Sequence, residues 1–202
     1  MSDYRASTAD IKALRERSGA GMLDVRDALV AAEGDTEAAF KALREAGIAK
    51  AAKLAGRETT EGKIGAYIHP GGQKGVLVEV RCNTDFVANS EPVGVFVKDL
   101  LLQIVSSDNT RWVQTADVPD EARDAELAIF REQAAQEGKS GPVVEKIAEG
   151  RLRKWYEEVV LLEQPYFRDE KLKVEEVRAA LARETGENIV IARFASYIVG
   201  GS

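Results

Sequence analysis

The sequence predicts an α+β protein, because helix-like and strand-like patterns occupy separate stretches of the chain. Apolar side chains recur at helical spacing over residues 7–47, alternate with polar ones over residues 62–82, and return to helical spacing from Val93. A short turn inside the alternating stretch predicts an antiparallel hairpin, and helices that cover such a sheet define the α+β class. The 202 residues are enough for one or two domains with ordinary cores.

Residues 1–47 are predicted to form a small three-helix unit. Ser7-x-x-Asp10 is a variant of the capping box and predicts the start of the first helix, and Gly19 ends that helix. A second helix follows, and a third begins after Asp35 and closes at Gly47. A unit of this size buries a very small core, so we expect it to bind other proteins.

Residues 48–60 are predicted to be a connecting helix or linker, because Ala and Lys favour helix there but offer little to bury. The core domain is predicted over residues 61–202. Its first strand turns at Pro70-Gly71-Gly72 into a return strand over Gly75–Cys82, whose alternate valines are expected to face the core. A helix over residues 93–105 should cover this sheet.

Two further helices are predicted to form a helical hairpin at about residues 119–162, since Pro142 is suited to open the second of them. A short helix follows near residues 174–184 and ends at Gly186. The final strand is predicted over residues 189–197 and is expected to pair with the β-hairpin.

The stretch Cys82-Asn83-Thr84-Asp85-Phe86-Val87-Ala88 is the most informative part of the chain, and it follows directly after the return strand. An acid followed by a large aromatic ring at a strand end can insert into a partner protein. On burial preference alone, Phe86 and Val87 are more often core residues and Asp85 a turn or capping residue. The pattern by itself leaves both interpretations open.

Composition argues against several classes of function. The net charge of -6 and the pI near 5.1 predict no general attraction to nucleic acid or to anionic membranes. One Cys and one His provide neither an internal disulfide nor a cluster at metal-ligand spacing, so we expect no metal site and no cofactor. No glycine-rich run has P-loop spacing with its Lys, so we expect no direct nucleotide binding.

The start of the chain lacks the basic flank and apolar run of a secretory signal, and no apolar run is long enough to span a bilayer. These observations predict a cytoplasmic protein. A hydrolytic trio of Cys82, His69 and Asp85 is a weak alternative, because no nucleophile turn or oxyanion-hole motif accompanies these residues. The chain is therefore not expected to be an enzyme.

Four stretches resemble bacterial elongation factor Ts, in that family's order. These stretches are Leu14 to Val25, Cys82 to Ala88, Ile147 to Leu152 and Gly186 to Val190. The resemblance is to the short form of the family, which has a single core subdomain. It implies an N-terminal domain of the ubiquitin-associated type, a dimerisation-type α+β core, and guanine-nucleotide exchange on elongation factor Tu. A homodimer would then supply the second subdomain that longer members carry.

The resemblance also implies which residues contact elongation factor Tu. Thr84, Asp85, Phe86 and Val87 would act beside its magnesium and phosphate site, and Leu14, Arg15, Met22 and Leu23 would grip it through the N-terminal domain. Between the two neighbours Met22 and Leu23, only one can easily face inward, and we expect Leu23 inside and Met22 outside. The alternative function is a ubiquitin-associated-like adaptor that binds another protein without exchange activity.

Overall fold

The computed structural model describes residues 4–201, apart from the side chains of residues 50–52. Its helices are α1 (Thr8–Ser18), α2 (Met22–Ala31), α3 (Thr36–Leu54), α4 (Asp85–Ala88), α5 (Glu91–Val105), α6 (Asp120–Gln136), α7 (Pro142–Val159) and α8 (Val174–Thr185). Its strands are β1 (Glu61–Ile68), β2 (Lys74–Cys82), β3 (Pro165–Tyr166), β4 (Asp169–Lys173) and β5 (Val190–Ile198). The chain is thus α+β, as predicted.

The described residues form two compact units. The first contains the chain up to Tyr67, Leu77–Leu101 and Glu175–Ala195, and the second contains Ile68–Val76, Leu102–Val174 and the chain from Ser196 onward. The first unit therefore holds the N-terminal helices together with most of α8 and parts of β1, β2 and β5. The residues singled out as candidate contacts all lie in this unit.

The N-terminal helices begin and end largely where local chemistry dictates. The Ser7 side chain accepts a hydrogen bond from the Asp10 backbone N–H at 3.1 Å, which caps the start of α1. Gly19 ends that helix in the left-handed region at φ 62°, a conformation that glycine adopts without steric cost. The core of the three helices is small and contains Leu14, Val25, Leu29, Ala39, Phe40 and Leu43.

The third helix does not close at Gly47, contrary to the sequence prediction, but continues to Leu54. The Ala and Lys residues that follow are strong helix formers and carry the helix on. Gly47 is buried, and a Cβ there would lie 3.7 Å from a guanidinium nitrogen of Arg183. The glycine thus lies beside the α8 side chain and does not mark a helix end.

Arg183 joins α8 to the N-terminal helices. Its guanidinium donates to the backbone carbonyl oxygens of Ser18 at 2.7 Å and Leu43 at 3.1 Å. Burial lowers the pKa of Arg183, and the carboxylates of Asp24 and Glu184 partly oppose this shift. The bond to Ser18 satisfies a carbonyl at the end of α1 that has no partner within the helix, and the bond to Leu43 reaches the middle of α3.

The main sheet has the strand order β1-β2-β5. The hairpin between β1 and β2 closes with a hydrogen bond from the His69 N–H to the Lys74 carbonyl oxygen at 2.9 Å. Val76, Val78 and Val80 are buried, which confirms the predicted alternation along the return strand. Strand β5 pairs with β2, as predicted for the final strand.

Helix α5 lies directly on β1 within the first unit. A Cβ on Gly65 would come within 2.3 Å of Val97 Cγ1 and 3.0 Å of Leu101 Cδ1, so glycine allows this close approach. Val93, Phe96 and Leu100 are buried on the same helix. The predicted helix over the sheet is thereby confirmed.

The second unit contains the predicted helical hairpin as α6 and α7. An ion pair between Arg131 and Glu145 at 2.9 Å and another between Arg151 and Glu137 at 2.6 Å connect the two helices. Beside them, the rings of Trp112 and Trp155 pack at a tilt of 57° with their centroids 5.8 Å apart, against a cluster that contains Val159 and Val160. The antiparallel pair β3 and β4 was not predicted from the sequence.

Candidate partner-binding site

Phe86 is a large apolar side chain on the surface of the first unit. It lies on the short helix α4, which follows β2 after Asn83 and Thr84, and it is 82% exposed. Asp85 and Thr84 are exposed as well. Burial preference had favoured a core role for Phe86, and its position in the fold excludes that role for the chain alone.

Local chemistry turns Phe86 outward. The Thr84 side chain caps α4 by accepting a hydrogen bond from the Val87 N–H at 3.3 Å. Val87 and Ala88 are buried, so the opposite side of the short helix carries Asp85 and Phe86. Val87 therefore anchors the turn, and its side chain is not part of the exposed surface.

A carboxylate distant in sequence holds the start of this turn. Glu187, which follows α8, accepts hydrogen bonds from the backbone N–H groups of Asn83 at 3.0 Å and Thr84 at 3.1 Å. It also accepts a hydrogen bond from the Thr84 hydroxyl at 2.6 Å. We call this group of contacts the Glu187 clamp. Sequence analysis missed it, because no spacing rule relates residues that lie 103 positions apart.

Two asparagines extend the Glu187 clamp to the chain after α3. The Asn83 side-chain oxygen accepts from the Asn188 N–H at 2.9 Å, and its amide donates to the Glu58 carbonyl oxygen at 2.5 Å. The Asn188 amide donates to the carbonyl oxygens of Ala55 at 3.3 Å and Arg57 at 3.2 Å. The turn that carries Phe86 is therefore fixed from both the connection between α8 and β5 and the segment before β1.

Cys82 lies beneath the same turn. It is 1% exposed, and its thiol donates to the Thr84 carbonyl oxygen at 3.2 Å. Burial raises the pKa of the Cys82 thiol, and the negative charge of Glu187 raises it further. A buried, neutral thiol is a poor nucleophile, which argues against the hydrolytic trio.

A second exposed surface lies at the start of α2. Met22 is 59% exposed and Leu23 is 65% exposed, and Arg15 on α1 is exposed too. The expectation that Leu23 faces inward is wrong. Val25 and Leu29 form the buried stripe of α2, and Leu23, two residues before Val25, lies on the far side of the helix.

Leu14 does not belong to this exposed surface, because it is buried in the core of the three helices. An open groove runs beside the surface and is lined by α1, α2 and α8, with Ile11, Arg15, Met22 and Arg183 among its residues. Leu14 can therefore support the surface only through packing. Arg15, Met22 and Leu23 are the members of the predicted N-terminal contact that a partner can reach.

The described residues contain no group of three or more His, Cys, Asp or Glu side chains placed to hold a metal ion. Within the same residues, no helix is both long and apolar enough to cross a membrane. Among the exposed apolar side chains, those at the predicted contact positions form two surfaces, Phe86 beside Asp85 and Met22 with Leu23. Both are suited to contact with another protein.

Comparison with known proteins identifies the family to which the chain belongs. The family described as "Elongation factor TS" matches residues 36–201. The elongation factor Ts of Caldanaerobacter subterraneus is 50% identical over 191 residues, which cover 95% of this chain and 95% of the relative. The chain belongs to the elongation factor Ts family. It therefore has a role in translation elongation.

Other members of the elongation factor Ts family match over similar spans. The protein of Moorella thermoacetica is 48% identical over 194 residues, covering 96% of this chain and 95% of its own length. That of Koribacter versatilis is 46% identical over 194 residues, covering 96% and 88%. These relatives have nearly the same length as this chain, and their matches extend into the N-terminal helices that precede the family match at residue 36.

Proposed function

We propose that this protein is a guanine-nucleotide exchange factor for elongation factor Tu. It binds Tu in complex with GDP, inserts Asp85 and Phe86 near the magnesium and phosphate site, and promotes release of GDP. The observation that supports this proposal most directly is the outward position of Phe86 on an anchored turn. The proposed role is that of an exchange factor acting in the cytoplasm, without a catalytic centre or nucleotide site of its own.

The insertion acts on the partner's metal site through physical displacement. Burying the Phe86 ring in a partner pocket stabilises the complex by about 1.5 to 3 kcal/mol. The intrusion disturbs the site that holds magnesium, and loss of this cation removes the largest positive charge facing the diphosphate. Nucleotide affinity then falls without any contact between this chain and GDP.

The effect is reciprocal by thermodynamic linkage. If binding of this protein weakens the nucleotide, the nucleotide weakens the binding of this protein by the same factor. GTP can therefore release the exchange factor from elongation factor Tu. A thousandfold faster release of GDP requires about 4 kcal/mol, which is more than the ring supplies alone.

The N-terminal surface supplies a second contact in this proposal. Arg15, Met22 and Leu23 are exposed together beside an open groove. Methionine is flexible and polarisable, so it suits a surface that adapts to a partner. This contact holds the nucleotide domain of elongation factor Tu while the Phe86 turn enters it.

Stopped-flow release of labelled GDP from elongation factor Tu tests the proposal. Substoichiometric amounts of this protein should accelerate release many times over, and Phe86→Ala should remove most of the acceleration. Val95→Ala on α5, which also truncates an exposed apolar side chain, is the matched control and should behave as wild type.

Two results would contradict the proposal. No acceleration by wild-type protein would contradict exchange activity itself. A Phe86→Ala variant that is folded and as fast as wild type would contradict the role of the ring. Capture of a ubiquitin-like protein, without binding to elongation factor Tu, would support the adaptor function, which needs the Met22 and Leu23 surface alone.

We also propose that the protein acts as a homodimer through the outer face of the main sheet. On this face Ile64 is 68% exposed, and an apolar depression is lined by Ile64, Leu77 and Ala195. A second copy of this face would cover these side chains. Sedimentation should give a dimer for wild type and a monomer for Ile64→Lys, and an unchanged dimer in that variant would contradict this interface.

A further inference from the structure

Glu187 places one carboxylate against three donors at the point where β2 ends and α4 begins. The donors are the backbone N–H groups of Asn83 and Thr84 and the hydroxyl of Thr84, at 3.0, 3.1 and 2.6 Å. Hydrogen bonds to an ionised acceptor are roughly twice as strong as neutral ones. A single side chain thus sets the backbone position of the two residues that precede Asp85 and Phe86.

The other contacts of the turn hold its later residues: the Ser90 hydroxyl donates to the Val87 carbonyl oxygen at 2.7 Å, and the Asn89 amide donates to the Asp85 carbonyl oxygen at 2.9 Å. The capping bond of Thr84 to the Val87 N–H is long at 3.3 Å, and α4 has only four residues. A helix this short has no stability of its own, so its orientation depends on the contacts at both of its ends. At Thr84, where the helix starts, the shortest hydrogen bond is the one that the hydroxyl donates to Glu187 at 2.6 Å. Asn83 and Asn188 hold the strand end, one residue further from Phe86 than Thr84 is.

We propose that Glu187 is a positioning residue for nucleotide exchange, because it holds Thr84 and through it the direction of the Phe86 ring. This inference rests on the proposed exchange function. Glu187 touches neither the partner nor the nucleotide in this proposal. Its effect is to keep the exposed ring in the orientation required for insertion before the partner arrives, so that less ordering is needed on binding.

Three substitutions distinguish positioning from a simple need for negative charge. In Glu187→Gln, the amide oxygen can still accept from both backbone N–H groups, while the amide nitrogen donates to the Thr84 hydroxyl oxygen. Glu187→Ala removes all three hydrogen bonds, and Glu187→Asp keeps the charge but is one methylene shorter. We expect the maximal rate of GDP release to stay within about threefold of wild type in the Gln variant and to fall about tenfold in the other two.

A double-variant comparison tests whether Glu187 acts through the ring. If it does, Glu187→Ala combined with Phe86→Ala should be no slower than Phe86→Ala alone. Glu45→Ala, which removes an exposed carboxylate from α3, is the control for net charge and should match wild type. Losses that multiply in the double variant, or a wild-type rate in folded Glu187→Ala, would overturn the inference.

Alkylation of Cys82 by iodoacetamide tests the Glu187 clamp without elongation factor Tu. The thiol is buried and bonded to the Thr84 carbonyl oxygen, so it reacts only when the turn opens. Both Glu187→Ala and Glu187→Gln remove the charge that raises the pKa of the thiol, so the comparison that isolates opening of the turn is between these two variants. Glu187→Ala should be alkylated several times faster than Glu187→Gln, and equal rates in the two variants would overturn the Glu187 clamp. Absence of exchange by wild-type protein would refute the proposed function. The alkylation result does not depend on that function, because it reports only whether Glu187 holds the turn closed.

Discussion

The two exposed apolar surfaces differ in how their backbone is held. Phe86 follows a residue whose side chain caps α4 and whose N–H and hydroxyl donate to Glu187. Met22 and Leu23 open α2, which begins after Gly21 without a side-chain capping bond. The Phe86 surface is therefore held in place by a polar network. The Met22 and Leu23 surface lies at a helix start that no side chain caps.

This difference separates two tasks within one binding event. A ring that must enter a narrow site gains from being ordered in advance, because less entropy is lost on insertion. A surface that grips gains from side chains that can adjust, as the flexible Met22 can. We therefore expect changes at Phe86 to alter the rate of nucleotide release and changes at Met22 and Leu23 to alter the affinity for elongation factor Tu.

The largest effect should come from Phe86→Ala. In the proposed mechanism the ring is fully buried only as GDP leaves, so the loss of about 1.5 to 3 kcal/mol falls on the release step and lowers the maximal exchange rate by about tenfold to a hundredfold. The concentration for half-maximal exchange should change less, since the N-terminal contact remains. Stopped-flow titration of labelled GDP release measures both the maximal rate and the half-saturating concentration. If Phe86→Ala changed only the half-saturating concentration, the two surfaces would not differ in the way proposed.

The double variant Met22→Ala with Leu23→Ala should show the opposite kinetic pattern. Partial burial of two apolar side chains at the contact supports an increase of about tenfold in the half-saturating concentration, with a maximal rate within about twofold of wild type. Val30→Ala at the other end of α2 is the matched control. The same titration provides the measurement, and a lower maximal rate with normal half-saturation would count against an affinity role.

Thr84→Ala should have a smaller effect than loss of the ring. It removes the cap of α4 and one donor to Glu187 but leaves the backbone N–H contacts in place. A loss of about 1 kcal/mol corresponds to a maximal rate about fivefold lower. Thr84→Ser keeps the hydroxyl and should restore most of the rate, so equal rates in the Ala and Ser variants would contradict the capping argument.

Gly21→Ser should give the smallest effect. Serine at this position would cap α2, and Asp24 three residues later completes a capping-box pattern. Replacing Gly by Ser at a cap adds only a few tenths of a kcal/mol, so amide hydrogen exchange in the first turn of α2 should slow by about twofold or less. The maximal rate of GDP release should not change, and a marked fall would show that the N-terminal surface also governs the release step.

Sequence reasoning predicted those parts of the fold that depend on short-range patterns. Alternation placed Val76, Val78 and Val80 in the core correctly, and the spacing after Pro92 predicted α5. It misplaced the end of α3 because Gly47 is both a common stop signal and, here, a residue that lies beside Arg183. A tertiary contact decided between these two uses of glycine.

The candidate site shows the same limit. The order of residues identified the Thr84 to Val87 motif through its resemblance to a family, but burial preference alone favoured a core position for Phe86. Glu187 could not be recognised, because its partners are close only in the folded chain. Met22 and Leu23 were placed on opposite sides of α2, and the first turn of the helix leaves both of them exposed. The division into an N-terminal domain over residues 1–47, a linker over residues 48–60 and a core domain over residues 61–202 stays a prediction.

The close approach of α5 to β1 has a consequence for how this protein can vary. Position 65 has no space for a methyl group, whereas Lys63 on the same strand is exposed. In a saturation library selected for function, position 65 should lose every substitution, while position 63 should accept most of them. Gly62 on the same strand is constrained as well, because a Cβ there would lie 2.3 Å from the Val80 carbonyl oxygen. The positions of this strand that tolerate the least sequence change are therefore two residues that have no side chain.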